Sequence, residues 1–121
     1  MKRLALAALL AFAAPAAASA ADVTGAWKLD ASVPSYNFNF TLTCSFKQDA
    51  DKLGGDCKDA QGASMAATGT VAANAVTFAY DTTFAGNPLH VVYKATVQDD
   101  GTLKGDFDAG QATGTFTGKK Q

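Results

Sequence analysis

Tyr36-Asn37-Phe38-Asn39-Phe40-Thr41-Leu42-Thr43-Cys44-Ser45-Phe46-Lys47 alternates without a break, apolar at every even position and polar at every odd one. A period of two puts each set of side chains on its own face of a strand, and no helix separates them that way. Weaker alternation marks 23–29, 52–57, 64–71, 76–84, 89–97, 103–109 and 112–118, so the pattern predicts eight strands. Between them lie short segments rich in Gly, Asp and Asn: Asp49-Ala50-Asp51, Asp59-Ala60-Gln61-Gly62, Ala72-Ala73-Asn74, Ala85-Gly86-Asn87-Pro88, Asp99-Asp100-Gly101 and Gly110-Gln111. Each suits a hairpin and none is long enough for a parallel crossover. The expected fold class is therefore all-β, an eight-stranded antiparallel up-and-down meander barrel. Closure removes the exposed edges of an open meander, with a two-sheet sandwich as the second choice. Only the segment 30–35, which contains Pro34, reads as a loop able to fold over an open end.

The apolar face predicts an interior of Val23, Trp27, Leu29, Phe38, Phe40, Leu42, Phe46, Leu53, Met65, Val76, Phe78, Leu89, Val91, Val97, Leu103, Phe107 and Phe116. Tyr36, Tyr80 and Tyr93 fall on the same face. Eight strands enclose a space that side chains just fill or that holds one small ligand. Gly55, Gly69, Gly105, Gly114 and Gly118 also point inward, where they relieve crowding among aromatics or mark bends of coiling strands.

The chain begins differently. Lys2 and Arg3 precede an Ala/Leu-rich run from Leu4 to Ala14, then Pro15 and small residues ending in Ala18-Ser19-Ala20. This reads as a secretory signal peptide over 1–20, with the mature chain starting at Ala21 or one residue later. The remaining 21–121 reads as a single barrel domain with eight lysines against eleven aspartates and neither Arg nor Glu. A mildly acidic surface without arginine argues against nucleic acid and anionic lipid as partners. No later apolar run is long enough to span a membrane, so the expected location is periplasmic or secreted.

Cys44 and Cys57 are the only cysteines, and an exported chain with an even count pairs them. The register agrees: if Gln48 faces Leu53 across the 49–52 turn, Phe46 faces Gly55 and Cys44 faces Cys57. His90, the sole histidine, alternates to the outside and lacks companions for a zinc site. The Asp49-Ala50-Asp51-Lys52-Leu53-Gly54 stretch places Leu53 where a calcium ligand is needed, and reads as a turn. Asp106 and Asp108 read as solvated outward carboxylates. No nucleophile motif, catalytic triad, metal site or cofactor site can be assembled, so a non-enzymatic protein is expected.

Gly25-Ala26-Trp27 on the first strand, the meander and the terminal Thr115-Phe116-Thr117-Gly118-Lys119-Lys120 together resemble the calycin type of barrel, to which lipocalins and avidins belong. The resemblance implies a closed barrel in which a terminal cation, Lys119 or its neighbour Lys120, packs over a structural Trp27. It has no match to the T-D-Y element of lipocalins, and Trp27 alone does not supply the several tryptophans with which avidins enclose biotin. The leading expectation is a binding barrel for a small apolar ligand, held where Tyr36, Tyr80 and Tyr93 bring hydroxyls to a pocket mouth beside Phe38 and Phe78. The alternatives are a protein-protein module, of which exported metalloprotease inhibitors of similar size are one case, and a structural barrel with a filled core.

Overall fold

The computed structural model describes residues 20–121; the signal segment read at 1–20 lies, but for Ala20, outside them. Eight strands form where the alternation predicts: β1 Gly25–Val33, β2 Phe38–Asp49, β3 Lys52–Asp59, β4 Ser64–Ala72, β5 Ala75–Phe84, β6 Asn87–Val97, β7 Leu103–Asp108 and β8 Thr113–Lys120. Each pairs antiparallel with its neighbours in sequence, and β8 pairs back onto β1, closing an up-and-down barrel. The sandwich reading is thereby excluded. The 30–35 loop is corrected as well: Ala31 and Val33 continue the inward face of β1, both buried, and only a 3-10 turn at Pro34–Tyr36 connects to β2.

Phe46 faces Gly55 and Cys44 faces Cys57 in the β2–β3 register, and the two cysteines form a disulfide. The inward glycines divide into two groups. A Cβ on Gly55, Gly69 or Gly105 would meet the backbone carbonyl of the adjacent strand at 1.9 Å, so these mark places where strands approach too closely for any side chain. At Gly118 a Cβ would instead strike the Leu29 side chain, so there the glycine yields space to a large neighbour, and Gly114 shares both features, a Cβ there meeting the Ser32 carbonyl and the Phe107 ring.

One end of the barrel is stitched shut. Ala21 N–H donates to Ala73 O, Val23 N–H to Gln48 Oε1, and the Trp27 indole Nε1–H to Val23 O, each at 2.9 Å. Val23 and Trp27 are buried there. The cation over the indole is Lys120, its Nζ 5.9 Å from the ring centroid. Lys119, the other residue expected in that role, pairs with Lys28 on the outer face, because the inward set of β8 runs Phe116, Gly118, Lys120.

Candidate functional site

The opposite end carries the connections β1–β2, β3–β4, β5–β6 and β7–β8. Two of these hairpins outrun their neighbours. In β2, Phe38–Thr41 pair with β1 only, because β3 pairing starts at Leu42 opposite Asp59. In β5, pairing to β4 stops at Ala79 opposite Thr68, while pairing to β6 continues to Phe84 opposite Asn87. In β6, the residues before Val92 have no partner in β7. The β1–β2 and β5–β6 hairpins therefore project past the wall and form a rim.

The rim holds the three exposed large hydrophobics among the described residues: Tyr36 at 65 %, Phe38 at 47 % and Phe84 at 65 % exposure. The inward expectation fails for Tyr36 and Phe38. Alternation assigns a face, but Tyr36 belongs to the connecting turn and Phe38 to the part of β2 that has run beyond the core. Phe40 is half-buried between the two environments, and Leu89 and Val97 are likewise half-buried.

Below the rim, aromatic rings occupy the barrel axis. Phe46 packs edge-on against Phe78 at 4.9 Å, and Phe78 stacks on Tyr93 at 4.6 Å. Tyr93 lies 5.4 Å from Phe107, Phe107 lies 5.6 Å from Phe40, and Phe40 stacks on Phe38 at 5.8 Å. A continuous aromatic column thus runs from the core to the exposed Phe38. The structure separates the expected ligand residues accordingly: Phe78, Tyr80 and Tyr93 are core, Tyr36 and Phe38 are rim. The phenols of Tyr80 and Tyr93 do not open onto a mouth. Their oxygens lie 2.6 Å apart in a buried hydrogen bond. Burial is the main cause pushing both phenols above their ordinary range; Tyr80 reinforces this at Tyr93, whereas at Tyr80 the bond from Tyr93 opposes it and the Asp59 charge adds to it.

Along the free side of β2 runs a groove of about 600 Å³ lined by the stretches 30–32, 38–41 and 59–61. Asp30 and Asp59 are its charged residues. Asp59 also organises the β3–β4 turn, its Oδ1 accepting the N–H groups of Gln61 and Ala63 at 3.0 and 2.9 Å.

His90 has a partner that the sequence reading did not find. Its Nδ1–H donates to Asp81 Oδ1 at 2.8 Å across β5 and β6. The signal was present in the hairpin register, since the two residues stand symmetrically about the Ala85-Gly86 turn. Both side chains are largely exposed, at 62 % and 84 %, where an ion pair contributes little. Among the described residues no side-chain hydroxyl or thiol is hydrogen-bonded to the imidazole. No group of metal-ligating side chains is found among the described residues, and no described helix is long and apolar enough to cross a membrane. No protein-family model and no curated protein matches this chain.

Proposed function

We propose that this chain is an exported, non-enzymatic barrel that binds another protein through the rim of its two projecting hairpins. The observation that carries this reading is the segregation of exposed aromatics. Tyr36, Phe38 and Phe84 all stand at one end, over an axis already filled by rings. Large exposed aromatics carried by the two hairpins that project from one end are a compositional mark of interaction surfaces. The interior-ligand reading has less support here, because two of the three phenols that motivated it, Tyr80 and Tyr93, bond to each other and the third, Tyr36, is exposed on the rim. The metalloprotease-inhibitor case needs a free N-terminal trunk, whereas Ala21 and Val23 are tied into the closed end.

The Cys44–Cys57 disulfide and the signal segment support a periplasmic or secreted location. Kinship with calycin barrels belongs to the same proposal, supported by Gly25-Ala26-Trp27 and the closed eight-strand order. The test compares wild type with Tyr36→Ser/Phe84→Ser, expressed in the natural host and crosslinked in place. The double variant should keep its thermal midpoint and lose a crosslinked partner that wild type captures. A fatty acid or isoprenoid that co-purifies equally with both forms, with no protein partner, would restore the interior-ligand reading.

A further inference from the structure

We propose that the uncharged edge of β2 at Phe38–Thr41 pairs antiparallel with the same edge of a second copy of this chain. This rests on the rim reading above and deepens it, naming the partner and the mode of docking. In the projecting hairpins three strand segments have no neighbour on one side: Phe38–Thr41 of β2 toward β3, 80–84 of β5 toward β4, and 87–91 of β6 toward β7. Exposed edges invite pairing, and proteins blunt them with charges, prolines or bulges. The β5 segment carries the exposed Asp81, and the β6 segment carries Pro88 and the exposed His90. The β2 segment has none of these devices. No charged residue occurs from Ala31 to Phe46, Pro34 lies before the strand, and the registers of β2 with β1 and β3 run without a bulge. An uncharged, proline-free alternation of aromatic and polar residues is the composition of segments that pair with copies of themselves.

The backbone supplies the bonds. Gln48 N–H turns to the β1 side, donating to Thr24 Oγ1 at 3.2 Å, and successive residues of an antiparallel strand aim their N–H and C=O groups to alternate sides. Asn39 and Thr41 therefore address the side that β3 does not reach, and among the described residues their N–H and C=O groups have no backbone partner there. A two-fold pairing centred on Asn39 sets each Asn39 opposite its mate and each Phe38 opposite Phe40 of the other copy. Aromatic pairs then form across the strands on the axis-facing side, and neutral polar groups meet on the outer side. Asp30 stands on β1 opposite Thr41, so both β2 strands separate the Asp30 of one copy from that of the other. Lys58, opposite Thr43, is the nearest charge on the outer face of β3, and the segment of the second copy that comes beside it is the uncharged turn at 34–37. Asp59 lies on the axis-facing row opposite Leu42, its Oδ1 engaged by its own turn. The pairing thus sets no like charges opposite each other on neighbouring strands, which matters for two copies of a chain that is acidic after residue 20.

Sedimentation equilibrium of the exported chain tests the pairing. Wild type should associate reversibly to a dimer, and the protection of the Asn39 and Thr41 amides against hydrogen exchange should rise with protein concentration. Asn39→Lys sets lysine against lysine and should raise the dimer Kd roughly fivefold, the scale of a directly opposed pair. Asn39→Asp should do the same, and an equimolar mixture of the two variants should restore the dimer. Thr41→Pro removes an edge N–H that the barrel does not use, so it should keep its thermal midpoint and sediment as a monomer. If that variant misfolds, the mixture of charged variants still decides. A wild-type chain that stays monomeric to about 1 mM overturns the pairing. A dimer that neither Asn39→Lys nor Thr41→Pro weakens does so as well. Where wild type is monomeric but Tyr36→Ser/Phe84→Ser still loses its crosslinked partner, self-pairing is wrong and the rim reading stands.

Discussion

Tyr80 and Tyr93 share one hydrogen bond inside the barrel, and their energetics are coupled. Removing one hydroxyl strands the other in an apolar surrounding, which costs about 1–3 kcal/mol, whereas removing both leaves no buried polar group unmet. Tyr80→Phe and Tyr93→Phe should each destabilise, and the double variant should lose clearly less than their sum in urea unfolding. The pair also sets an alkaline limit. Both phenols are held above the ordinary value of about 10, so above that pH the unfolded chain binds fewer protons than the folded one. Stability from this source is full below about pH 10 and falls as pH rises beyond it. The Tyr80→Phe/Tyr93→Phe variant should show a shallower alkaline decline; an identical decline in both proteins would remove the pair from the account. Inward alternation made both residues visible as core candidates, but that their hydroxyls meet depends on β5 and β6 being side by side at this level.

Glycine placement sets how tightly the strands coil. Gly69 faces Phe78, Gly55 faces Phe46 and Gly105 faces Phe116, so a ring-bearing residue repeatedly stands across from a position without a side chain. Gly69→Ala has no free direction for its methyl, with the Thr77 carbonyl 1.9 Å away, and should cost roughly 2–4 kcal/mol through backbone displacement. Gly54, next to Gly55 in the same strand, has nothing within 4 Å of a Cβ. Gly54→Ala should be stabilising by about 0.5 kcal/mol, since a strand glycine loses more backbone freedom on folding than alanine. Thermal denaturation of the two variants reads the contrast directly. The inward direction of Gly69 was legible from alternation. Its backbone contact was not, because the approach of β5 is a property of the closed sheet.

The molecule has a sealed end and a projecting end. Trp27 anchors the first: Trp27→Ala removes a fully buried indole and its bond to Val23 O, and should cost about 3–5 kcal/mol. Lys119→Ala should be neutral, and Lys120→Ala should cost under about 1 kcal/mol as the loss of an exposed cation–π contact. Native-state hydrogen exchange should show the amides of Val23 and Val71, tied at the sealed end, outlasting those of Asn39 and Thr41 at the rim. Equal protection at both ends would contradict the division.

Strand count, antiparallel order and the Cys44–Cys57 register were determined by the sequence alone, because alternation and a short turn are local and a single hairpin fixes which residues face each other. Tyr36 and Phe38 show where that reading stops. They alternate in step with Phe40 and Leu42, yet Leu42 is buried and they are exposed. The face of a strand follows from its own sequence; how far the strand outruns its neighbour follows from the stagger around the closed barrel, which is set by all eight strands together. That stagger leaves the start of β2 without a β3 partner and lifts the aromatics to the rim.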